Sequence, residues 1–563
     1  MLGVRLTADM DRGFWCTGVV AASSPVFNLA DLFEIVADTA PDHPALVAGD
    51  VRQSYRQLDE RSTRLANHLL DSGIGAGDHI GVHSLNRTEW VEAMLASYKI
   101  RAVPINVNYR YVEDELAYVF ANADLAALIF EAKFTDRIHA VLPRVPSLRH
   151  CIAMADDSGN DYTALSAVEY ERAVHEGSPS REFGDRSGDD LYIVYTGGTT
   201  GMPKGTVWRH EDIFFGALQG GNPLGDPIRR PDELAGLVKP VELQGTFLTP
   251  APLMHGSGQW SVLISLFCAG KFVLYTGQRF DADEILALAA REGVHSISII
   301  GDAMALPIAD ALEADPDRHD LSSLIMLGSS GAILSPPVKD RLRRALPGRF
   351  VLDSFGSSET GHDGTVMDAD GPSAGPRFTL GPETTVVNDD LVAVQPGSGE
   401  IGRLARTGHI PLGYYKDEAR TSKTFVEIGG RRFVMPGDYA TVEADGTATL
   451  LGRGSVCITS GGEKVYPEEV EAALKAHPAV FDALVVGTPH RRFGESVTAV
   501  VCARPGLTTD LEELRATCRS RIADYKLPRR LVLVDGIERT PAGKPDYRWA
   551  KAVAGESLAT DTT

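Results

Sequence analysis

Residues 195–205 read YTGGTTGMPKG, eleven residues with four glycines, three threonines and one lysine, directly after the apolar run LYIV. Glycines after a strand let backbone N–H groups approach an anion closely, threonine hydroxyls add donors, and Lys204 adds a mobile positive charge. That is phosphate-binding chemistry, and it is more than a plain turn requires. A nucleotide loop of the G-x-x-x-x-G-K-[ST] type is excluded, because Lys204 follows Pro203 and precedes Gly205. Kinase and GTPase readings weaken with it. Glu359, in the loop FGSSETG, is an acid suited to a hard cation that travels with phosphate.

Such residues need elements to carry them. From residue 28 onward, helical patterns alternate with short β-branched runs, which predicts α/β layers. Ser54 and Gln57 form a capping box, and Leu58, Leu65, Ala66, Leu69 and Leu70 follow on one helical face until Gly73. HIGVHSL, AALIFEA, LYIVYTG, GTFLTPAPL, KFVLYTG, SISII, LIMLG and RFVLDSFG read as strands. Polar clusters after LYIV, LIML and FVLDSF stand where α/β sheets gather ligands, so three loops are expected to converge. The Gly- and Pro-rich run QGGNPLGDPIRRPDELAGLVKPVELQ reads as a surface excursion.

At 563 residues the chain holds roughly two to four domains. The expected organisation is a flexible extension over 1–27, a large domain over 28–452 and a small α+β domain over 453–552. A hinge at 452–455 joins them, and a flexible tail covers 553–563. In the small domain PEEVEAALKAH predicts a helix with Pro467 at its first position, followed by the strand FDALVVG and the helix DLEELRATCRSRIADY. A net charge of −21 argues against nucleic acid and anionic lipid as partners. The six cysteines show no metal-like spacing, which suits reduced thiols in the cytoplasm. No apolar stretch reaches the roughly 18 residues of a membrane span.

YTGGTTGMPKG resembles the phosphate loop of the acyl-adenylate-forming superfamily, with Gly198 where the family usually has serine. Further motifs follow in family order and extend the resemblance from about residue 28 to 550. APLMHGSG is similar to the acyl-pocket motif, SSGAILSP to the adenine-side loop, and FGSSETG to the segment whose aromatic ring stacks on adenine. PGDYATVEADG resembles the segment whose aspartate holds ribose, with Pro436 where threonine or tryptophan is usual. GRGSVCITSGGEKVYPEEVE resembles the hinge, with Ser455 at the pivot, and RTPAGKPDYRW resembles the terminal lysine motif.

The resemblance implies a large N-terminal domain of layered β-sheets with packed helices, plus a small mobile C-terminal domain. It implies that ATP is bound by Thr196, Gly197, Gly198, Thr199, Thr200, Gly201 and Lys204, by Ser330, Gly331 and Ala332, and by Phe355, Gly356, Ser357 and Ser358. Asp438, Arg453 and Lys544 complete that set. Catalytic roles fall to Lys544, Thr200 and Glu359, with Glu359 also the Mg²⁺ ligand. His255, Gly256, Gly258, Ile300, Gly301, Asp302 and Met304 line the acyl pocket, and Gly461 and Gly462 admit coenzyme A.

The implied reaction joins a small-molecule carboxylic acid to coenzyme A in two half-reactions, through acyl-AMP and with release of pyrophosphate. The small domain turns about the hinge between them. MHGSGQW offers no acid for an α-amino group, and no carrier domain follows residue 552, so an amino acid substrate is not expected. The nearest subgroup in resemblance comprises bacterial acyl-CoA synthetases that activate sterol side-chain carboxylates; a medium- or long-chain fatty acid is the rival substrate. A fatty-acyl-AMP ligase that ignores coenzyme A, a nucleotide sensor and a phosphotransferase remain alternatives. Whether the chain forms a homodimer is left open.

Overall fold

The computed structural model describes residues 25–560 except 199–200, 224, 333, 367–376, 461–462, 491–493, 520, 523 and 541–543. The expected roles of Thr199, Thr200, Gly461 and Gly462 therefore lie outside the described residues. Among those described, the strands form three sheets. The first has a parallel half, in the order Pro44–Ala48, Lys271–Leu274, Thr246–Thr249, Ser296–Ile299, Met326–Ser329 and Phe350–Ser357. It continues with antiparallel pairing through Gly361–Val366 toward Asp438–Val442. In the second sheet Gly413–Tyr414 is followed by Gly201–Arg209, Leu191–Gly198, Val103–Asn106 and His79–His83. The third belongs to the small domain and is built on Val480–His490 and Gly494–Ala503.

Local signals account for much of this. The helix Tyr55–Asp71 starts on the expected capping box, with both reciprocal bonds between Ser54 and Gln57 present. Leu58, Leu65, Ala66 and Leu69 are buried in the main core, but Leu70 is 41% exposed, because it sits past the edge of the apolar stripe. In the small domain the helix Pro467–Lys475 has Pro467 at its start and buries Val470, Ala473 and Leu474 against Val480–His490. The second helix there is shorter than expected, Leu511–Arg519.

Both chain ends depart from the expected boundaries. Phe27, placed in the extension over 1–27, is buried, with its ring centroid 5.6 Å from that of Phe214 and 4.8 Å from that of Phe215. An aromatic residue with two ring neighbours is core, so the packed chain begins before residue 28. The tail expected over 553–563 is instead largely helical, Tyr547–Thr560, since Ala550 and Ala554 pack on Leu484, Val486 and Val500. The excursion QGGNPLGDPIRRPDELAGLVKPVELQ is pinned to the core by Ile228 and Leu234. Among the described residues, no helix is long and apolar enough to cross a membrane.

Candidate active site

The phosphate-loop sequence forms a β-hairpin. Leu191–Gly198 pairs antiparallel with Gly201–Arg209, with Thr196 opposite Lys204 and Gly198 opposite Gly201. Its base is held by the buried Asn106, whose amide donates to the Tyr195 carbonyl at 2.8 Å and the Met254 carbonyl at 2.6 Å. The Tyr195 N–H donates back to Asn106 at 2.7 Å. One side chain thus ties the hairpin to the segment that leads into His255.

Lys204 leaves the hairpin toward Glu359, and its Nζ lies 2.6 Å from Glu359 Oε1. This ion pair joins the two large-domain sheets. Glu359 is held by the turn Ser357–Thr360, where the Ser357 hydroxyl accepts from the Glu359 and Thr360 N–H groups. Trp208 Nε1 donates to the Ser358 carbonyl at 2.9 Å, a further tie between hairpin and loop. A third member of the cluster escaped the sequence reading. The Tyr414 hydroxyl accepts from Lys204 Nζ and donates to Glu359 Oε1, each at 2.9 Å, while Lys204 lies 4.2 Å from the Tyr414 ring centroid. Burial, and then the Glu359 carboxylate, keep this phenol above its ordinary range. Tyr414 belongs to the two-residue strand Gly413–Tyr414, which pairs with the Lys204-bearing strand opposite Thr206.

The donor set around Glu359 fits Mg²⁺. It offers hard oxygens, the Glu359 carboxylate and the Tyr414 hydroxyl bonded to it, and a magnesium ion is commonly held by one or two carboxylates plus substrate phosphates. Lys204 now balances the carboxylate and would have to yield place to the cation.

Phe355, expected to cover adenine, is half-buried, with its ring centroid 4.6 Å from that of Phe378. Gly356 and Gly361 permit a very close backbone approach. A Cβ at Gly356 would fall 1.9 Å from the Gly361 carbonyl oxygen, and one at Gly361, at φ +75°, would fall 2.3 Å from the Gly216 carbonyl oxygen. The Ser330 N–H donates to Ile299, and Gly331 is left-handed at φ +77°, with Ala332 following. Asp438 opens its strand opposite Arg453, so the two proposed ribose contacts are cross-strand partners. The nearby buried Asp363, also missed from sequence, has its carboxyl pushed up to about 6 by burial, against the lowering effect of Arg406.

His255, expected in the acyl pocket, occupies the N-cap position of the helix Gly256–Phe267. At Gly258 the backbone leaves no room for a side chain: a Cβ would lie 2.6 Å from the Pro252 carbonyl oxygen. Gly256 keeps more room, with Trp260 and Val194 side chains at 3.5 and 3.6 Å from such a Cβ. Gly301, Asp302 and Met304 begin the helix Gly301–Ala314. Met304 packs in the core, and its Sδ accepts from the Ile300 N–H at 3.3 Å. Asp302 is buried, accepts from the Ser335 N–H at 2.8 Å and pairs with Lys475 of the small domain at 3.1 Å. Its carboxylate thus meets the domain interface. The Thr540 N–H donates to the Lys544 carbonyl at 2.8 Å, and the adjoining Pro545 lines the same small cavity between the domains as Ala332. Ser455 lies in the short helical turn Gly454–Val456 between the domains.

A two-sheet large domain, a small α+β domain and a phosphate hairpin paired to an acidic loop define an adenylate-forming enzyme, and the family models agree. Residues 33–415 match the AMP-binding enzyme family and residues 469–544 the AMP-binding enzyme C-terminal domain. The chain belongs to that family. It is 50% identical over 537 residues to a 3-oxocholest-4-en-26-oate–CoA ligase of Rhodococcus rhodochrous, covering 94% of this chain and 96% of that one. It is 48% identical to a medium/long-chain-fatty-acid–CoA/3-oxocholest-4-en-26-oate–CoA ligase of Mycobacterium tuberculosis H37Rv, covering 93% and 95%. The fold matches the anthranilate CoA ligase AuaEII in complex with anthranoyl-AMP, with a TM-score of 0.83 at 22% identity and coverage of 95% and 98%. ATP-bound MatB from Rhodopseudomonas palustris gives 0.78 at 24% identity, with coverage of 93% and 98%.

Proposed function

We propose that this protein activates a bulky hydrophobic acid of the steroid side-chain class as its acyl-adenylate and transfers the acyl group to coenzyme A. The enzyme class, an AMP-forming acid–thiol ligase, rests on the family and on relatives at 48–50% identity along nearly the whole chain. The choice of acid is supported by the Rhodococcus relative, whose name specifies a steroid carboxylate. The mycobacterial relatives carry fatty acids in their names as well, which favours medium- and long-chain acids as the second reading.

The observation that carries the mechanism is the Lys204–Glu359–Tyr414 cluster at the root of the phosphate hairpin. In the first half-reaction an oxygen of the substrate carboxylate attacks the α-phosphorus of ATP, and the bond to pyrophosphate breaks. Lys204 and the hairpin N–H groups hold the polyphosphate, Phe355 covers adenine, Asp438 holds ribose, and Lys544 meets the charge that develops near the α-phosphate. Glu359 would hold Mg²⁺, which would supply charge neutralisation at the polyphosphate. No protein nucleophile is needed. In the second half-reaction the thiol sulfur of coenzyme A attacks the acyl carbon, AMP leaves, and the thiol proton passes to solvent.

Among the described residues, none of the cysteines is in a disulfide, which supports a reducing compartment such as the cytoplasm. The test is incubation with ATP, Mg²⁺ and coenzyme A against steroid, fatty and aryl acids, read as thioester mass. Preference for steroid acids supports the proposal, preference for fatty acids supports the second reading, and acyl-AMP without thioester would refute both.

A further inference from the structure

The helix Pro467–Lys475 ends on a lysine with a carboxylate from each domain. Lys475 Nζ is 3.1 Å from Asp302 of the large domain and 3.2 Å from Asp482 of the small domain, and the three side chains are 8%, 2% and 7% exposed. Arg539, half-buried, takes the other oxygen of Asp482, and the buried Glu471 adds a further carboxyl near both cations. Arg539 pairs through its backbone with Pro545, the residue after Lys544. A cavity of about 20 Å³ at this seam is bordered by Asp302, Ala332, Lys475, Arg539 and Pro545.

These contacts form one continuous chain. It starts at the first turn of the acyl-side helix, passes through Asp302, Lys475, Asp482 and Arg539, and ends beside Lys544. Asp302 also accepts from Ser335, at the end of the adenine-side loop, so the small domain grips a carboxylate that both substrate sides of the large domain hold in place. Burial opposes the charge on Lys475, but Asp302 and Asp482 outweigh it and keep the ammonium above the ordinary lysine range. A bridge serving only the small domain would need Asp482 alone. The contact with Asp302 exists only while the domains are docked, and separating them returns both ions to water, which offsets much of the lost attraction. The cluster therefore favours one orientation without making it permanent.

We propose that Lys475 is a positioning residue for the adenylation half-reaction: by bridging Asp302 and Asp482 it holds the small domain so that Pro545, next to Lys544, shares a cavity with Ala332 of the adenine-side loop. This rests on the ligase reading above. Replacing Lys475 by Met keeps most of its volume and leaves Asp302 and Asp482 without their shared cation. Carboxylate-dependent exchange of pyrophosphate into ATP is expected to fall roughly 10- to 100-fold, while thioester formation from supplied acyl-AMP stays within about twofold of wild type. Lys475→Arg should restore most of the exchange.

Hydrogen exchange followed by mass spectrometry gives a reading independent of turnover. Segments 301–306, 334–342 and 467–475 should exchange faster in Lys475→Met, with the rest of the small domain unchanged. Pyrophosphate exchange within about twofold of wild type would overturn the proposal. So would equal loss of both half-reactions with faster amide exchange throughout the small domain, which would make Lys475 a fold residue only. If wild type shows no exchange with any acid, the ligase reading itself fails, and amide protection at the three segments alone decides whether Lys475 docks the domains.

Discussion

Replacing Tyr414 by Phe isolates one atom of the active-site cluster. The ring stays, and with it the seat 4.2 Å from Lys204, but the hydroxyl that accepts from Lys204 and donates to Glu359 is lost. Hydrogen bonds to charged groups are each worth about 1.5–3 kcal/mol, and the direct 2.6 Å contact between Lys204 and Glu359 survives, so the net loss should approach one such bond rather than two. At about 1.4 kcal/mol per decade this is roughly a 10- to 150-fold fall in the kcat/KM of adenylation. The assay is carboxylate-dependent pyrophosphate exchange over a range of ATP concentrations, with a melting temperature to show that the ring still packs. The loss should be greatest at low ATP, because a lysine freed from its hydroxyl partner is less well placed to meet the phosphates. Wild-type exchange kinetics in Tyr414→Phe would refute the view that this hydroxyl positions Lys204 and Glu359.

Replacing Lys544 by Ala should abolish pyrophosphate exchange yet spare thioester formation from supplied acyl-AMP, both read by mass; equal loss of the two would refute a role confined to adenylation. Glu471, buried in the small domain, has its carboxyl pushed up to about 7 from an ordinary 4.5, chiefly by burial. A raised folded-state value means that its favourable contribution is complete below about pH 4.5 and is lost as pH rises through about 7. Glu471→Gln should therefore gain about 3 kcal/mol relative to wild type between pH 5 and 8, read from urea midpoints, and a pH-independent difference would contradict this. Gly258→Ala would press a Cβ onto the Pro252 carbonyl and should cost about 1–3 kcal/mol of stability, measured by the same urea titration; an unchanged midpoint would show that the turn relaxes.

The hairpin and the acidic loop were readable because their signals are local. A glycine-rich hairpin with its lysine, or an acid in a Ser-Thr turn, carries its function in adjacent residues, and Lys204 and Glu359 do meet in the structure. What joins such pieces was not readable. Tyr414 lies 210 residues beyond Lys204 on a strand of two residues, too short for any periodic signal. Asp302 was read as part of the acyl pocket because it stands in the right segment, yet its carboxylate turns toward a lysine 173 residues away in the other domain. Phe27 fell in a stretch of weak pattern, and only its two aromatic neighbours make it core. Hydrophobic periodicity reports which face of an element is inward. It does not report which distant polar group that face will meet.

The glycines of the site have a consequence for altering the enzyme. At Gly356 and Gly361 a single added carbon would strike main-chain carbonyls, and a main chain cannot swing aside as a side chain does. At Gly256 the same carbon would meet only the side chains of Trp260 and Val194, at ordinary contact distance. A library built to change the accepted acid should therefore leave the adenine-side pair alone and place its diversity at 256, 260 and 194. Gly258 sets the same limit as that pair, since its added carbon would strike the Pro252 carbonyl, so the room for change begins at 256 and not at every glycine of the His255 segment.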